Sequence, residues 1–380
     1  MAKTKIKRVG VLTGGGDAPG LNAVLQGFVN RAIREYKWKV LGSEDGFEGF
    51  IQPPENKKVV TLDLHRVSGI DSRCGIACQG GSILGCSNTA NPWAYPVNKK
   101  GSTEFADVHK TMIKHIEHHK LDALVLVGGD GTMAMASRLH ELGLNVVGVP
   151  KTIDNDLAAT DFTFGFNTAL ETATWAIDKL HSTAQAHDRV IIAEVMGRYA
   201  GWIALEAGIA GGAHCILIPE IAYNVDRIRK KIESLGDKYS SYGVIVCSEG
   251  AREAGGDYSA EGEVIKTKDG KVAHLPRLKG AGDHLASLLK GHIAHDVRVT
   301  VLGHIQRGGS PTPFDRILGL RFGTAAADLM ARGGFGRMVA LKTPHIVDVP
   351  FDQVIGRPKL VDTGGQLART ARALGIELGG

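Results

Sequence analysis

One short polar segment carries the side-chain types that proton or phosphate chemistry requires. In Pro150–Asp156 a cation, a hydroxyl, an amide and two carboxylates occur within seven residues. Asp154 and Asp156 are two residues apart, so in an extended chain both carboxylates point the same way. One could act as a base while the other holds an ion. A helix cap in a solvated turn is the alternative interpretation of so short a motif.

The elements around this segment favour a ligand site. Leu144–Val149 is an apolar, β-branched run that predicts a short buried strand, and Pro150 ends it. Ala123–Val127 predicts a neighbouring strand, which runs into the glycine- and acid-bearing residues Gly128–Thr132. Open α/β sheets bind ligands at the carboxyl ends of their strands. Two such loops at one sheet edge predict a shared site.

A third loop near the start of the chain is rich in glycine. Arg8–Thr13 predicts the first strand, and Gly14–Ala23 forms a turn that opens a helix. Small residues at the start of a helix allow backbone N–H groups to bind an anion, which predicts a phosphate cradle. The segment is neither GxGxxG nor a Walker loop, because Asp17 and Pro19 interrupt the first pattern and no Lys-Ser/Thr follows. A tight strand–helix turn is the alternative.

Charged residues recur at the predicted strand ends. The carboxylates are Asp17, Asp130, Asp154, Asp156 and Glu249, and the cations are Lys151, Arg189, Arg198, Arg298, His304 and Arg307. The acidic set suits Mg²⁺, which prefers one or two carboxylates together with phosphate oxygens. The basic set suits a phosphorylated substrate. Together they favour phosphoryl transfer, although any one arginine could equally be a surface ion-pair partner.

The overall pattern predicts an α/β protein. Strands alternate with helices through most of the 380 residues, and a second strand–helix set begins with the strand Arg189–Arg198. Two sets of this kind predict two doubly wound, parallel-sheet (Rossmann-like) domains. The segment beyond Pro350 is polar and weakly patterned, so we expect residues 351–380 to be a peripheral tail.

Composition excludes several classes of protein. The chain has 45 Lys+Arg and 40 Asp+Glu, a net charge of +5 that is too small to indicate nucleic-acid binding. We expect no membrane span, because no apolar run approaches about 20 residues and the N-terminal residues lack a signal-peptide region. Five cysteines without a CxxC pair favour a reduced, cytoplasmic protein.

Five motifs resemble, in order, those of the 6-phosphofructokinase family. They are GGGDAPGLNA (Gly14–Ala23), GGDGT (Gly128–Thr132), PKTIDND (Pro150–Asp156), EVMGRYAG (Glu194–Gly201) and LGHIQRGGSP (Leu302–Pro311). The resemblance covers residues 9 to about 335. It implies transfer of a phosphoryl group to the 1-hydroxyl of fructose 6-phosphate, with Mg²⁺ as cofactor. It also implies two interleaved domains with the active site between them, and a homo-oligomer, commonly a tetramer.

The resemblance also implies roles for individual residues. Asp154 matches the catalytic base, and Asp130 matches the Mg²⁺ ligand. The other residues of the catalytic set are Thr152, Arg198 and Lys151, and the donor-binding residues are Gly16, Asn88, Gly131 and Thr132. The sugar-phosphate positions are Thr152, Asp154, Asp156, Met196, Gly197, Arg198, Glu249, His304 and Arg307. Arg189 and Arg298 match arginines that complete a neighbouring subunit's site, in a tetramer or a dimer.

Domain roles follow from the same resemblance. Residues 1–162 and about 306–350 are expected to bind the phosphoryl donor, and residues 163–305 to bind the sugar phosphate. The first helix has Gln26 and Asn30 where bacterial ATP-dependent members carry effector-binding arginines. We therefore expect this protein to lack control by anionic effectors.

The donor is either ATP or pyrophosphate. Gly131 is typical of members that use ATP, because a carboxylate there would repel the nucleotide's α-phosphate. Lys151 resembles the pyrophosphate-dependent group and a set of ATP-dependent relatives. Asn88 replaces a common donor-binding arginine, and Met135 could narrow the adenosine pocket. We favour ATP on the strength of Gly131, with a reversible pyrophosphate-dependent enzyme as the alternative.

Three other kinds of protein share parts of this pattern. A non-catalytic regulator that binds sugar phosphates would have the same fold but no need for Asp154. A dinucleotide-dependent oxidoreductase would require a strand–GxGxxG–helix unit, which the sequence lacks. A lipid or NAD kinase could share GGDG, but the PKTIDND and LGHIQRGGSP segments argue against it.

Overall fold

The computed structural model describes residues 6–68, 75–97, 104–235, 242–261, 265–266, 272–274 and 277–380. Within these residues the strands are β1 (Arg8–Thr13), β2 (Lys39–Ser43), β3 (Val59–Leu62), β4 (Tyr95–Pro96), β5 (Phe105–Ala106), β6 (Ala123–Gly128), β7 (Val146–Thr152), β8 (Phe164–Gly165), β9 (Arg189–Val195), β10 (Cys215–Leu217), β11 (Gly243–Ser248), β12 (Ala260–Glu261), β13 (Ile265–Lys266), β14 (Val272–His274), β15 (Arg277–Leu278), β16 (Asp296–Val301), β17 (Arg337–Lys342) and β18 (His345–Pro350).

The helices pack on both faces of the sheets. The α-helices are α1 (Leu21–Arg34), α2 (Glu48–Ile51), α3 (Leu64–Ser68), α4 (His109–His118), α5 (Asp130–Glu141), α6 (Phe166–Ala186), α7 (Trp202–Ala210), α8 (Val225–Leu235), α9 (Ala281–Leu289), α10 (Pro313–Ala331) and α11 (Gln366–Ala373). Short 3₁₀ helices span Pro54–Asn56, Gly303–Arg307 and Phe351–Gln353. Among the described helices, none combines the length and the apolar character needed to cross a bilayer.

The larger sheet has the strand order β18-β17-β7-β6-β1-β2-β3, with β8 paired to β7. Its central strands are parallel, and β6 is buried along its whole length, as expected for a strand with helices on both faces. Both edges differ from the prediction of a purely parallel sheet, because β3 and β18 pair in the antiparallel direction. Only residues 343–344 join β17 to β18, which allows a hairpin but not a helical crossover, whereas residues 44–58, with α2 and a 3₁₀ helix, join β2 to β3.

The smaller sheet is parallel throughout and has the order β10-β11-β9-β16. Its middle strands β9 and β11 are rich in valine and isoleucine and are almost entirely buried. The edge strand β16 is half exposed. Two sheets with covering helices confirm the predicted α/β class with two doubly wound domains.

The chain returns to the first sheet after completing the second. Helix α10 packs lengthwise on α1, and two glycines allow the backbones to come close. A Cβ atom on Gly27 would lie 2.5 Å from the Leu320 carbonyl oxygen, and one on Gly323 would lie 2.2 Å from that of Val24. Any larger side chain would push the helices apart. The α1–α10 contact therefore ties the last third of the chain to its first helix.

A buried carboxylate joins the start of α10 to the start of α6. Asp315 is fully buried, and its Oδ2 accepts hydrogen bonds from the Thr168 backbone N–H (2.7 Å) and hydroxyl (2.6 Å). The backbone N–H of Thr312, the residue that caps α10, in turn donates to the Thr168 hydroxyl at 3.0 Å. Since α6 leads into the second sheet and α10 leads back to the first, this cluster fixes the junction between them.

The C-terminal residues correct one expectation. Residues 351–380 were expected to be peripheral, yet Val354, Ala368 and Ala371 are completely buried and belong to hydrophobic cores. Val354 packs in a core beside the larger sheet, and the two alanines of α11 pack in the core beside the smaller sheet. Small residues gave this segment a weak hydrophobic pattern, although they fill the space available to them.

Candidate active site

A cavity of about 670 Å³ lies between the two sheets. Its walls come from the loops that follow β1, β6 and β7 in the larger sheet and β9 and β16 in the smaller one. The predicted site residues that line it are Gly16, Asn88, Gly131, Thr132, Lys151, Thr152, Asp154, Arg198 and Arg307. The strand-end loops of two separate sheets therefore meet at one place.

The loop after β7 bends sharply at the floor of the cavity. Thr152 Oγ1 accepts a hydrogen bond from the Asp154 backbone N–H at 3.1 Å, which folds the loop back on itself. Asn155 has a left-handed backbone, with φ of 52°. The extended conformation expected for Asp154–Asp156 is therefore wrong, and the two carboxylates are held by a turn.

Asp154 lies in an unfavourable environment for a negative charge. Its Oδ1 is buried and has no hydrogen-bond partner among the described residues. Burial, followed by the nearby negative charges of Asp156 and Glu249, raises the pKa of Asp154 to about 7, although Arg307 and Lys151 oppose this shift. A carboxylate of this pKa can accept a proton near neutral pH.

The neighbouring carboxylate and the lysine are perturbed by the same burial. Desolvation raises the pKa of Asp156 above its ordinary value, and nearby Asp130 adds to the effect. Burial lowers the pKa of Lys151 to about 8. The Lys151 ammonium donates a hydrogen bond to the Gly16 carbonyl oxygen, which joins the β7 end to the glycine-rich loop.

The glycine-rich loop is held open by its backbone. The Gly14 N–H donates to the Val127 carbonyl oxygen at 2.8 Å, and the Gly15 N–H donates to that of Ser87 at 3.1 Å. A Cβ atom on Gly16 would stand 3.1 Å from an Arg307 guanidinium nitrogen, so glycine keeps this side of the cavity clear. Gly131, near the start of α5, faces open space with no atom within 4 Å.

Arginines from the smaller sheet close the opposite wall. Arg307 ends the 3₁₀ helix after β16, and its Nη1 donates to the Asp17 carbonyl oxygen at 3.1 Å, directly across the cavity. Arg198 follows β9, and its guanidinium carbon lies 5.2 Å from the centre of the Tyr199 ring. Positive charge therefore faces the carboxylate from the second sheet.

One part of the wall is apolar, which sequence reasoning missed. Phe47, Ala90, Ala94, Pro96 and Phe105 line the cavity beyond the glycine loops. Met135 lies one helical turn after Gly131 on α5 and also contributes. Apart from Met135, these residues come from irregular segments and two-residue strands between residues 44 and 106, where no hydrophobic period could reveal them.

Several predicted residues lie just behind the cavity wall. Glu249 follows β11, and its electrostatic influence reaches Asp154. Gly197 accepts a hydrogen bond on its carbonyl oxygen from the Ser248 hydroxyl at 2.6 Å. The Met196 backbone N–H donates to Gln306 Oε1 at 3.3 Å. Fully buried Gln306 was not predicted, and its position inside the motif Leu302–Pro311 was the available signal.

Asp130 is the first residue of α5 and lies between two glycines that line the cavity. Its carboxylate is exposed, and Oδ1 accepts a hydrogen bond from the Gly356 backbone N–H at 3.1 Å. The carboxylate is therefore held at a helix N-terminus that faces the cavity.

Two of the six predicted strand-end cations are elsewhere. Arg189 is the first residue of β9, so seven residues of strand, about 20 Å, separate it from the carboxyl end. Arg298 lies within the edge strand β16, and both guanidinium groups pair with Asp296, at 3.2 Å and 2.9 Å. The expectation that all six cations cluster at strand ends is wrong for this pair. His304 is exposed in the 3₁₀ helix after β16.

The fold and the cavity define a two-domain α/β phosphotransferase site, in which a buried carboxylate faces glycine loops and arginines. The chain belongs to the phosphofructokinase family, because the sequence model described as "Phosphofructokinase" matches residues 8–330. This confirms the family resemblance carried by the five motifs.

Individual relatives agree over nearly the whole chain. An "ATP-dependent 6-phosphofructokinase" of Chloroflexus aurantiacus is 45% identical over 378 residues, covering 99% of both chains. A "Pyrophosphate--fructose 6-phosphate 1-phosphotransferase" of Streptomyces coelicolor is 44% identical and covers 93% of this chain and 96% of its own. The crystal structure of a pyrophosphate-dependent phosphofructokinase from Marinobacter aquaeolei shares the fold, with a TM-score of 0.75 at 21% identity, covering 98% of this chain and 88% of its own.

We predict that Asp154→Asn lowers kcat by two to four orders of magnitude, because the amide cannot accept the substrate's proton. For the unmodified chain, kcat/KM should fall as pH is lowered through about 7, since the carboxylate becomes protonated. Steady-state rates between pH 5.5 and 9 measure both effects. Exposed Asp352, changed to Asn, is the matched control and should leave rate and pH profile unchanged.

The Asp154→Asn variant should be more stable than the unmodified chain at alkaline pH. The folded-state pKa of Asp154 lies above the unfolded value of 3.8. Its stabilising contribution to the free energy of unfolding is therefore fully present below pH 3.8 and is lost as pH rises through about 7. Ligand-free Asp154→Asn should therefore unfold at a higher temperature than the unmodified chain at pH 8, with a smaller difference at pH 5. A lower unfolding temperature at pH 8 would contradict the assigned electrostatics.

Proposed function

We propose that this chain is an ATP-dependent 6-phosphofructokinase, which transfers the γ-phosphoryl group of ATP to the 1-hydroxyl of fructose 6-phosphate. The observation that carries the proposal is the buried Asp154 Oδ1, which has no hydrogen-bond partner in the described part of the chain. Buried polar atoms are nearly always paired, so this oxygen is available to a hydrogen-bond donor that enters the cavity. A sugar hydroxyl is such a donor.

The mechanism begins with proton transfer. Asp154 accepts the proton of the 1-hydroxyl as the sugar oxygen forms its bond to the γ-phosphorus. The bond between the γ-phosphorus and the bridging oxygen breaks, and ADP leaves with that oxygen. Lys151 stabilises charge on the donor phosphates, and Arg198 stabilises charge on the transferred group.

The sugar phosphate is proposed to bind on the side of the smaller sheet. Arg307 provides a guanidinium group that can bind a phosphate with two hydrogen bonds. The other residues proposed to hold the sugar phosphate are Thr152, Asp156, Met196, Gly197, Arg198, Glu249 and His304. The glycines, Asn88 and Thr132 are proposed to hold the donor on the opposite side.

A single carboxylate, that of Asp130, is the protein ligand that we propose for Mg²⁺. In the part of the chain that the structure describes, no group of three His, Cys, Asp or Glu residues could hold a metal alone. Magnesium needs few protein ligands, because it takes phosphate oxygens and water as well. We propose that Asp130 holds the ion, which when bound neutralises charge on the donor phosphates.

ATP suits the cavity better than pyrophosphate does. Pyrophosphate has no apolar part, whereas Phe47, Ala90 and Ala94 form an apolar wall that suits an adenosine group. Met135 lines the same cavity without filling it. Gly131 leaves open the space that a carboxylate would occupy. A pyrophosphate-dependent enzyme is the second candidate, since one similar relative carries that name.

We predict that initial rates with Mg²⁺ and fructose 6-phosphate are at least tenfold higher with ATP than with pyrophosphate. Gly131→Asp should lower kcat/KM for ATP at least a hundredfold, because a carboxylate beside the polyphosphate repels it. A Cβ atom at position 131 meets no atom within 4 Å, so the unfolding temperature should hardly change.

Gly131→Ala separates the effect of charge from that of volume. It adds a side chain in the same open space and should keep most of the ATP activity. Faster turnover with pyrophosphate in the unmodified chain would overturn the ATP assignment. Sugar-phosphate binding without turnover by either donor would favour the non-catalytic regulator.

We further propose a homo-oligomer, a tetramer or a dimer, in which Arg189 and Arg298 complete the site of a neighbouring subunit. Both lie away from this chain's own cavity, beside the half-exposed strand β16. Their shared partner Asp296 holds the two guanidinium groups together at one surface. An exposed arginine pair of this kind can contribute to a phosphate site across an interface.

Subunit complementation tests this arrangement. We predict that Arg298→Ala and Asp154→Asn chains are each nearly inactive alone, but that hybrid oligomers from co-expression regain activity. An Arg298→Ala subunit keeps its Asp154 and receives Arg298 from its neighbour. Differently tagged chains, purified through both tags and assayed for kcat, give the measurement. Hybrids with no more activity than the single variants would contradict the sharing of sites.

We also propose that anionic effectors do not regulate this enzyme through the first helix. Gln26 Oε1 accepts a hydrogen bond from the Ala77 N–H at 2.8 Å, and Asn30 Nδ2 donates to the Gln26 carbonyl oxygen at 2.8 Å. Both side chains are uncharged, and both form hydrogen bonds within the protein that hold α1 and its surroundings in place. We predict a hyperbolic response to fructose 6-phosphate that neither ADP nor phosphoenolpyruvate shifts. A sigmoidal curve moved by either effector would contradict this.

Domain roles and location are part of the proposal. Residues 1–162 and about 306–350 would bind the donor, and residues 163–305 the sugar phosphate. The described cysteines are free thiols, which supports a reducing, cytoplasmic location. The chain would act on small molecules and not on nucleic acids or membranes.

A further inference from the structure

The C-terminal segment contacts the catalytic loop from behind. The Lys359 backbone N–H donates to the Asp156 carbonyl oxygen at 2.8 Å, and Pro358 forms a β-bridge with Leu157. Gly356 donates its N–H to Asp130, the proposed metal ligand. This segment lies beyond the residues that the family model matches. It nevertheless contacts both acidic loops of the cavity.

The Lys359 ammonium makes the most specific of these contacts. It donates to Asn155 Oδ1 at 2.9 Å, and to the carbonyl oxygens of Thr160 at 3.2 Å and Asp161 at 2.8 Å. Three acceptors satisfy all three N–H groups of an ammonium. Its nitrogen also lies 5.7 Å from the centre of the Trp202 ring. The lysine is therefore held in one position.

Asn155 transmits this contact to the catalytic residues. It stands between Asp154 and Asp156, has a left-handed backbone, and is 98% buried. Its Oδ1 also accepts a hydrogen bond from the Thr163 N–H at 3.2 Å. The amide oxygen is thus held from two sides, and its position sets the direction in which the flanking carboxylates leave the turn.

We propose that Lys359 is a positioning residue, which orients the Asp154 carboxylate through Asn155 without touching the substrate. Only the rate measurement below rests on the proposed phosphofructokinase activity, and the contacts of Lys359 do not. Because a misplacement of about 1 Å at a reacting group can cost a hundredfold in rate, an intact turn matters to catalysis. The sugar-binding side chains on the smaller sheet do not contact Lys359, so substrate affinity should be little affected.

A second cavity provides a way to restore the missing ammonium. A space of about 420 Å³ lies on the side of the turn away from the active site, and Lys359 lines it. The other residues lining it include Asn155, Phe162, Trp202, Glu206 and Lys342. Shortening Lys359 to alanine would enlarge this space. A small alkylammonium ion could then enter from solvent and donate to the vacated acceptors.

The experiment compares Lys359→Ala and Lys359→Met with the unmodified enzyme. We expect kcat to fall at least tenfold in both variants, with KM for fructose 6-phosphate and for ATP within threefold. Ethylammonium chloride should restore at least a third of the lost kcat in Lys359→Ala, while tetramethylammonium, which has no N–H, should not. Lys359→Met retains the apolar stem between the rings, so it should remain folded even if the alanine variant does not.

Lys342→Ala is the matched control. Lys342 lines the same cavity and carries the same charge, but its side chain is 54% exposed and bonds only the Asp161 carboxylate among the described groups. Its kcat should stay within twofold of the unmodified value, with no response to ethylammonium. An equal loss of kcat in Lys342→Ala would show a general effect of charge and overturn the proposal.

Hydrogen–deuterium exchange gives a readout that does not depend on turnover. In Lys359→Met, the Thr163 amide should exchange at least fivefold faster, because its acceptor, Asn155 Oδ1, loses a fixed position. Unchanged kcat and unchanged exchange in the Lys359 variants would refute the positioning role. An unmodified chain without phosphofructokinase activity would refute the proposed function instead, and exchange would then decide the role of Lys359.

Discussion

The structure depends on keeping the Asp154 carboxylate buried, with its negative charge only partly compensated by the nearby cations Arg307 and Lys151. Asp154 shares its surroundings with two other acids, and burial makes its charged form costly. In isolation such a loop would turn outward and hydrate. It stays in place because its backbone is fixed at both ends, by β7 on one side and by the Asn155 turn on the other. Burial therefore keeps the pKa of this carboxylate near neutral pH.

Opposing that cost requires cations from another part of the chain. Arg307 comes from the loop after β16, and its hydrogen bond to the Asp17 carbonyl oxygen spans the two halves of the site. A shift of one sheet by a few ångströms would break this bond and weaken the compensation of Asp154. The α1–α10 contact and the Asp315–Thr168 cluster prevent such a shift near the junction. Packing far from the chemistry thus maintains the electrostatics of the site.

Much of this arrangement could be predicted from the sequence, for a physical reason. Buried parallel strands such as β1 and β6 appear as continuous apolar runs, and the loops after them line the cavity. The strand ends therefore located the carboxylates correctly. The position of a residue along a strand is harder to infer. Arg189 and Arg298 were expected at the carboxyl ends of strands, but Arg189 begins β9 and Arg298 lies within β16. A cation looks the same in sequence whether it begins a strand or follows it.

Other parts depended on contacts distant in sequence. The apolar wall around Phe47 and Phe105 is assembled from irregular segments, so no period of two or 3.6 residues marks it. The C-terminal segment looked peripheral because its buried residues are small and its polar residues satisfy distant groups. Lys359 is an example, since its three acceptors lie about 200 residues earlier in the chain. Only a tertiary structure brings such groups together.

The choice of phosphoryl donor follows from which groups can distinguish the two donors. Lys151 cannot, because a buried point charge attracts the terminal phosphates of either molecule equally well. Discrimination must come from groups near the part that only ATP possesses. Those groups are the open space at Gly131, which admits a third phosphate, and the apolar wall, which can accept a base. In this chain, a change of donor from ATP to pyrophosphate would therefore be expected to need altered volume and charge at Gly131 and the apolar wall, with no change in the turn at Asp154–Asp156.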